Sequence, residues 1–120
     1  MLNLDTHVLI HVLGDALTAA ESRILAADAW SISAIVLWEI GKLAERGRIE
    51  LDLDDSALTR TLADVHVWPV TIDVCRAIKR LDFRGDPADE IIAATSVAHD
   101  VPLVTRDTRI RRSREVPLAR

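Results

Sequence analysis

Four short apolar runs, separated by segments of helical length, constrain what this chain can fold into more than any other feature. Leu2-Asn3-Leu4, Ala29 to Ile32, Trp68 to Val70 and Leu103-Val104-Thr105 are brief and rich in branched or aromatic side chains. Runs of that kind suit strands covered on both faces. Between them lie stretches with helical spacing of apolar residues: Val8 to Leu13, Thr18 to Ala27, Ser33 to about Arg46, Ser56 to Val65, Asp73 to Leu81, and Ala88 to His99. Thr18 and Ser33 are natural N-caps, and Gly47 is a natural stop after the third stretch. The alternation predicts an α/β fold with a central parallel sheet covered by helices on both faces. In open parallel sheets, ligands bind in the crevice beyond the carboxyl ends of the strands. Asp5 and Asp107 both follow such ends.

At 120 residues the chain predicts a single domain spanning 1–120. Glycine and proline are sparse, and no repeat or low-complexity linker interrupts it. No stretch approaches the roughly 18 apolar residues of a membrane span. The opening residues carry no basic segment ahead of an apolar run, so no secretory signal is expected and the cytoplasm is the expected compartment. Cys75, the only cysteine, cannot form an internal disulfide and is expected to be a small core hydrophobe.

The net charge of −4 argues at first against a polyanionic partner. Its distribution argues otherwise. From Thr105 to Arg120 there are six arginines against Asp107 and Glu115, a net +4 that leaves −8 for everything before it. Arg106, Arg109, Arg111 and Arg112 are the expected contacts for such a polyanion within that tail, against the plain reading of a solvated arginine-rich terminal helix.

Each of four carboxylates has an ordinary reading and a chemical one. Asp5 and Asp107 can cap the helices that follow them. Glu39 lies at the border of the stripe formed by Val36, Ile40, Leu43 and Ala44, and could instead pair with Lys42 or Arg46. Pro87 suits a first helical position, which makes Asp86 the N-cap and puts Asp89 in the first turn. Asp89 shares a face with Ile92, Ala93 and Ser96, and an acid on an apolar stripe needs a partner. Glu90 falls on the rim. If the sheet is parallel, Asp5, Glu39, Asp89 and Asp107 can meet in one pocket. Two carboxylates about 4 Å apart repel by roughly 1 kcal/mol in water and about 4 kcal/mol at an effective dielectric near 20. A divalent cation offsets that repulsion, and all-oxygen ligation suits Mg²⁺ or Mn²⁺. Such an ion can activate water and polarise a phosphoryl group.

The segments that carry these acids resemble the successive blocks of PIN-domain proteins, in particular the VapC toxins of bacterial type II toxin–antitoxin pairs. The blocks are Leu4-Asp5-Thr6-His7-Val8-Leu9, Ser33 to Ile40 with Gly47-Arg48-Ile49, Asp86-Pro87-Ala88-Asp89 with Ile92 to Thr95, and Leu103 to Asp107. They run in order from Leu2 to about Arg112. The resemblance implies a PIN-like sheet of four or five parallel strands and a site that binds Mg²⁺ or Mn²⁺ and cleaves RNA. It gives Asp5, Glu39 and Asp89 the principal acidic positions and Asp107 the fourth, and it makes Thr6 and Thr105 pocket hydroxyls. It also implies a homodimer and a cognate antitoxin. Glu90, where relatives carry a non-acidic residue, and the short arginine-rich end depart from the pattern.

Other constellations point elsewhere less well. His7 and His11 are spaced for zinc on a helix, but the glutamate of a metalloprotease motif is missing between them. His66 and His99 read as isolated surface or helix-end residues. Trp30, Trp38 and Trp68 could stack on bases, but their apolar surroundings predict core packing. A phosphoaspartate phosphatase would want a second Asp two residues after Asp5, where this chain has His7. A catalytically silent binding module of the same fold is the other rival, and the full acid set speaks against it.

Overall fold

The computed structural model describes residues 1–120. Four parallel strands, β1 (Leu2–Leu4), β2 (Trp30–Ser33), β3 (His66–Trp68) and β4 (Leu103–Val104), form one sheet in the order β3-β2-β1-β4. The chain therefore steps outward from β1 to β3 and returns to the other side of β1 with β4. The reversal between β1 and β4 is a topological switch point, which opens a crevice at their carboxyl ends.

Six helices connect the strands and a seventh follows the last: α1 (Thr6–Leu13), α2 (Ala19–Ala26), α3 (Ala34–Glu45), α4 (Ser56–Ala63), α5 (Ile72–Ala77), α6 (Pro87–His99) and α7 (Thr108–Arg111). Local chemistry starts them where the sequence predicts. Thr18 and Glu21 form a reciprocal capping box on α2, and the Ser33 hydroxyl accepts from the Ile35 amide on α3. Gly47 takes a φ of +67° just beyond α3, a conformation glycine adopts without the Cβ clash. The core is a cluster of 20 buried hydrophobic residues in which Leu4, Val8, Leu9, Ile32, Val36, Ile92 and Leu103 are almost entirely sealed. None of the helices is long and apolar enough to cross a membrane.

The four strands agree with the expected four or five, the β4 edge being extended only by a parallel bridge between Leu103 and Leu118. Several other expectations need correction. The third strand ends at Trp68 instead of beginning there. Pro69 has no N–H to give the ladder, so pairing falls on His66, Val67 and Trp68 against Ser31, Ile32 and Ser33. The helix expected to reach Leu81 closes at Ala77 and tightens into a 3₁₀ turn over Ile78–Arg80. Cys75 is exposed, because α5 turns Val74 and Ala77 inward and that places Cys75 on the outer face. Trp38 is also exposed, at 57%, since α3 buries Val36 and Ile40 on the face opposite to it. Trp30 and Trp68 are half-buried. His66 and His99 are not isolated: Trp68 stacks on His99 with ring centroids 4.0 Å apart and meets His66 edge to face at 4.2 Å.

Candidate active site

Parallel pairing of β1 with β4 brings Asp5 and Thr105 side by side at the switch point. The Asp5 amide donates to the Val104 carbonyl at 3.1 Å, and the Thr105 hydroxyl donates to Asp5 Oδ2 at 2.6 Å. That hydroxyl oxygen in turn accepts from the Asp107 amide at 3.0 Å. Thr105 thus couples the two strand-end acids. Asp5 Oδ1 accepts from the Thr6 amide at 2.7 Å, and Asp107 Oδ1 accepts from the Ile110 amide at 3.0 Å. Both acids cap helices and both also line the crevice, so the two readings of each are compatible.

The other wall comes from α3 and α6. The buried Asn3 of β1 donates from Nδ2 to Ser96 Oγ at 2.9 Å and to the Ile92 carbonyl at 3.3 Å. This clamp fixes α6 against β1, one turn beyond Asp89. Glu39 forms no ion pair, because Lys42 turns to Glu45 instead, at 3.3 Å. Glu39 Oε1 is buried without a hydrogen-bond partner. A carboxylate oxygen in that position has lost water and gained nothing from the protein, which an incoming donor or cation would correct.

Asp5, Glu39, Asp89 and Asp107 line a single cavity of about 440 Å³ with Asp86, His7, His11 and Arg106. Its electrostatics show the cost of this gathering. Burial, reinforced by the charges of Asp5, Glu39, Asp107 and Asp86, pushes the Asp89 carboxyl up to about 6. Burial also raises Asp5, against the opposing effects of Thr105, the Thr6 amide and His7. Arg106 offers the cavity little relief. Its guanidinium is engaged by both Glu21 oxygens at 2.6 and 2.7 Å and by the Ala16 carbonyl at 3.0 Å.

The model of the PIN domain family matches residues 3–116. The chain belongs to the PIN-domain family. It is 37% identical over 99 residues to Ribonuclease VapC22 of Mycobacterium tuberculosis (strain ATCC 25618 / H37Rv), covering 80% of this chain and 76% of that protein. Among solved structures, the fold is shared with VapBC2 from Rickettsia felis bound to a promoter DNA fragment, at a TM-score of 0.75 and 16% identity over 98% of this chain and 97% of that one. It is shared also with a toxin–antitoxin complex from Klebsiella pneumoniae, at 0.69 and 19% over 93% and 91%.

Within this PIN domain the two hydroxyl residues act from behind the cavity surface. Thr6 is fully buried, with its Oγ1 unpartnered, and does not line the cavity; Thr105 is buried and reaches it through Asp5. Glu90 stays outside the lining. Asp86 is the residue most misread from sequence. It occupies the N-cap position of α6 but makes no side-chain capping bond, and its carboxylate faces the cavity instead. His7 and His11, weighed only for zinc, line the same cavity as the acids. Their spacing of four on α1, directly after Asp5, is the signal that places both on the site side of that helix.

The donor set is one for a hard cation: five carboxylates, one with an orphaned buried oxygen. No three His, Cys, Asp or Glu side chains are gathered tightly enough to enclose an ion by direct ligation. That arrangement fits Mg²⁺, which keeps several waters and uses one or two direct carboxylates.

Proposed function

We propose that this chain is an endoribonuclease that depends on Mg²⁺ or Mn²⁺, acts as the toxin of a type II toxin–antitoxin pair, and works in the cytoplasm as one domain. The observation that carries this reading is the single cavity that gathers Asp5, Glu39, Asp86, Asp89 and Asp107, where burial and the neighbouring charges raise Asp89 to about 6. A protein retains so unfavourable a cluster where a cation or a reaction uses it. Membership of the PIN family and the 37% identity to Ribonuclease VapC22 supply the reaction class.

In this reading Asp5, Glu39, Asp89 and Asp107 hold the ion, with Asp86 adding charge at the rim. Bound there, such an ion would supply Lewis-acid polarisation of a phosphoryl group and a more acidic water. The protein's own groups do the positioning. Thr105 and the Thr6 amide fix both Asp5 oxygens, Asn3 fixes the helix that carries Asp89, and the Glu21–Arg106 pair holds a cationic side chain at the cavity edge.

The partners follow from the same reading: an RNA substrate, and a cognate antitoxin that covers the site. A homodimer is supported by Leu37 and Trp38, adjacent large apolar side chains left exposed on α3. The rival is a silent PIN module that only holds a partner. The two separate on one experiment. The purified chain is incubated with cellular RNA in Mg²⁺, Mn²⁺ or chelator, beside Asp5→Asn and Asp89→Asn. Metal-dependent cleavage that falls at least 100-fold in both folded variants supports the nuclease. Equal cleavage by the variants, or none by the wild type in either metal, refutes it.

A further inference from the structure

The four arginines of the tail that sequence reading grouped as RNA contacts are not equivalent in the fold. Arg106 gives Nε and Nη2 to Glu21 and the Ala16 carbonyl, and Arg111 donates one nitrogen to the Thr105 carbonyl at 3.1 Å. Both line a separate recess on the α2 side, with Thr18, Glu21 and Ile24. Arg109 spends one guanidinium nitrogen on the Arg84 carbonyl and keeps its remaining donors. Arg112 is exposed and enters none of the protein's ion pairs.

Arg109 and Arg112 project into one recess of about 330 Å³ between the loop at Asp82-Phe83 and the end of α7, lined also by Thr108 and Ser113. Asp82, the one acid there, is spoken for: its oxygens accept from the Ser113 hydroxyl and, at 2.8 Å, from the Arg114 amide. Those bonds pin the segment after α7 to the loop and so shape the recess. Phe83 supplies its only large apolar surface.

The recess adjoins the acidic cavity. A Cβ built on Gly85 would lie 3.1 Å from Arg109 Nη1 and 3.9 Å from Asp89 Oδ2, so the guanidinium and the site carboxylate flank the same glycine. The missing side chain at Gly85 lets Arg109 lie against the loop. Cationic and acidic surfaces thus meet along α7 and the start of α6.

We propose that this recess is a second subsite for the substrate, in which Arg109 and Arg112 bind a backbone phosphate of RNA next to the nucleotide held at the acidic cavity, with Phe83 against a base. The assignment rests on the ribonuclease reading and names where the strand runs. Two guanidinium groups suit a phosphate because their planar donor forks match its oxygens. An aromatic ring beside them suits single-stranded nucleic acid, whose bases are free to stack. It also answers how a chain of net charge −4 holds a polyanion: the attraction is local, beside the scissile position.

The test uses the full chain in the Asp89→Asn background, in millimolar Mg²⁺, with a short fluorescent oligouridine read by anisotropy across a salt series. Arg112→Ala or Arg109→Ala should weaken binding about tenfold, and each should lower the salt slope by about 0.7. Phe83→Leu, which keeps an apolar residue there, should weaken binding without changing the slope. Arg60→Ala is the control; Arg60 lines a different pocket at the amino ends of the strands and should leave both quantities alone. If the arginine variants bind like their parent while the wild-type chain cleaves RNA, the subsite is wrong and the nuclease reading stands. If the wild-type chain neither binds nor cleaves RNA with Mg²⁺ or Mn²⁺, both fall. If oligoglutamate binding, and not oligouridine binding, is lost in Arg112→Ala, the recess is a protein-docking site and the RNA subsite is overturned.

Discussion

Replacing Asp89 with Asn should make the metal-free protein more stable while removing its activity. Burial, reinforced by repulsion from the neighbouring acids, raises the Asp89 carboxyl from 3.8 to about 6. A carboxyl whose folded pKa lies above its unfolded one binds more protons when folded. Stability therefore falls as pH rises from about 4 to about 6, and the full penalty is present above 6. At ~1.4 kcal/mol per pH unit the ceiling is about 3 kcal/mol. Asp89 is only half-buried, so water screens part of it, and Asn forgoes an attraction to the helix start worth ~0.3–1 kcal/mol. A net gain of about 1–2 kcal/mol at pH 7.5 remains. Urea unfolding of both proteins from pH 4 to 8, in chelator, should show the gap open between pH 4 and 6 and stay constant above. Added Mg²⁺ or Mn²⁺ should stabilise the wild type through binding to the folded state and stabilise the variant less. A variant that is less stable at pH 7.5, or a gap that does not vary with pH, would refute the picture of an acid held against its neighbours.

Two further predictions concern residues around the acids. Thr105→Val removes the hydroxyl that holds Asp5 Oδ2 and meets the Asp107 amide; metal affinity or cleavage should fall ~10–100-fold, with an unchanged circular dichroism spectrum checking that the fold survives. The Arg106 hydrogen bonds hold the Glu21 carboxyl down at about 2, so the pair's contribution is present above about 4.5 and lost as pH falls toward 2. Glu21→Gln should therefore melt a few degrees below wild type at pH 7, with the difference closing in acid; parallel melting curves across that range would contradict the role given to the pair.

What could be read from sequence, and what could not, divides by the range of the forces involved. Caps and stops act over three or four residues, so Thr18, Ser33 and Gly47 announce α2, the start of α3 and its end. Faces were harder. Helical spacing puts Val36 and Ile40 on the inner stripe of α3, as found, but the run Ile35-Val36-Leu37-Trp38 offers more apolar residues than one side of a helix can bury, and Trp38, wrongly expected inside, stays out. Cys75 was misjudged for the same reason. The four acids were legible because two follow apolar strand candidates, two lie on helix positions facing a stripe, and all four fall in segments that resemble PIN-domain blocks; the strand order that unites them was not.

Asp86 was hidden because the N-cap position explains an aspartate completely until its side chain is seen to decline the bond. Asn3 went unnoticed because it occupies an inward position in an apolar strand, where a polar residue looks like a blemish. Its amide in fact bridges β1 to α6, and so fixes the distance between Asp5 and Asp89. Both omissions concern groups whose role lies in a bond made across the fold, or not made at all. A local pattern contains no record of such a bond. That also explains the arginines: four similar side chains in seven residues separate into one pair beside α2 and one pair beside the Asp82-Phe83 loop only when Glu21, Ala16 and Asp82 arrive from elsewhere in the chain. The charge free to meet a substrate is therefore set by tertiary pairing, and the net charge of the tail overstates it.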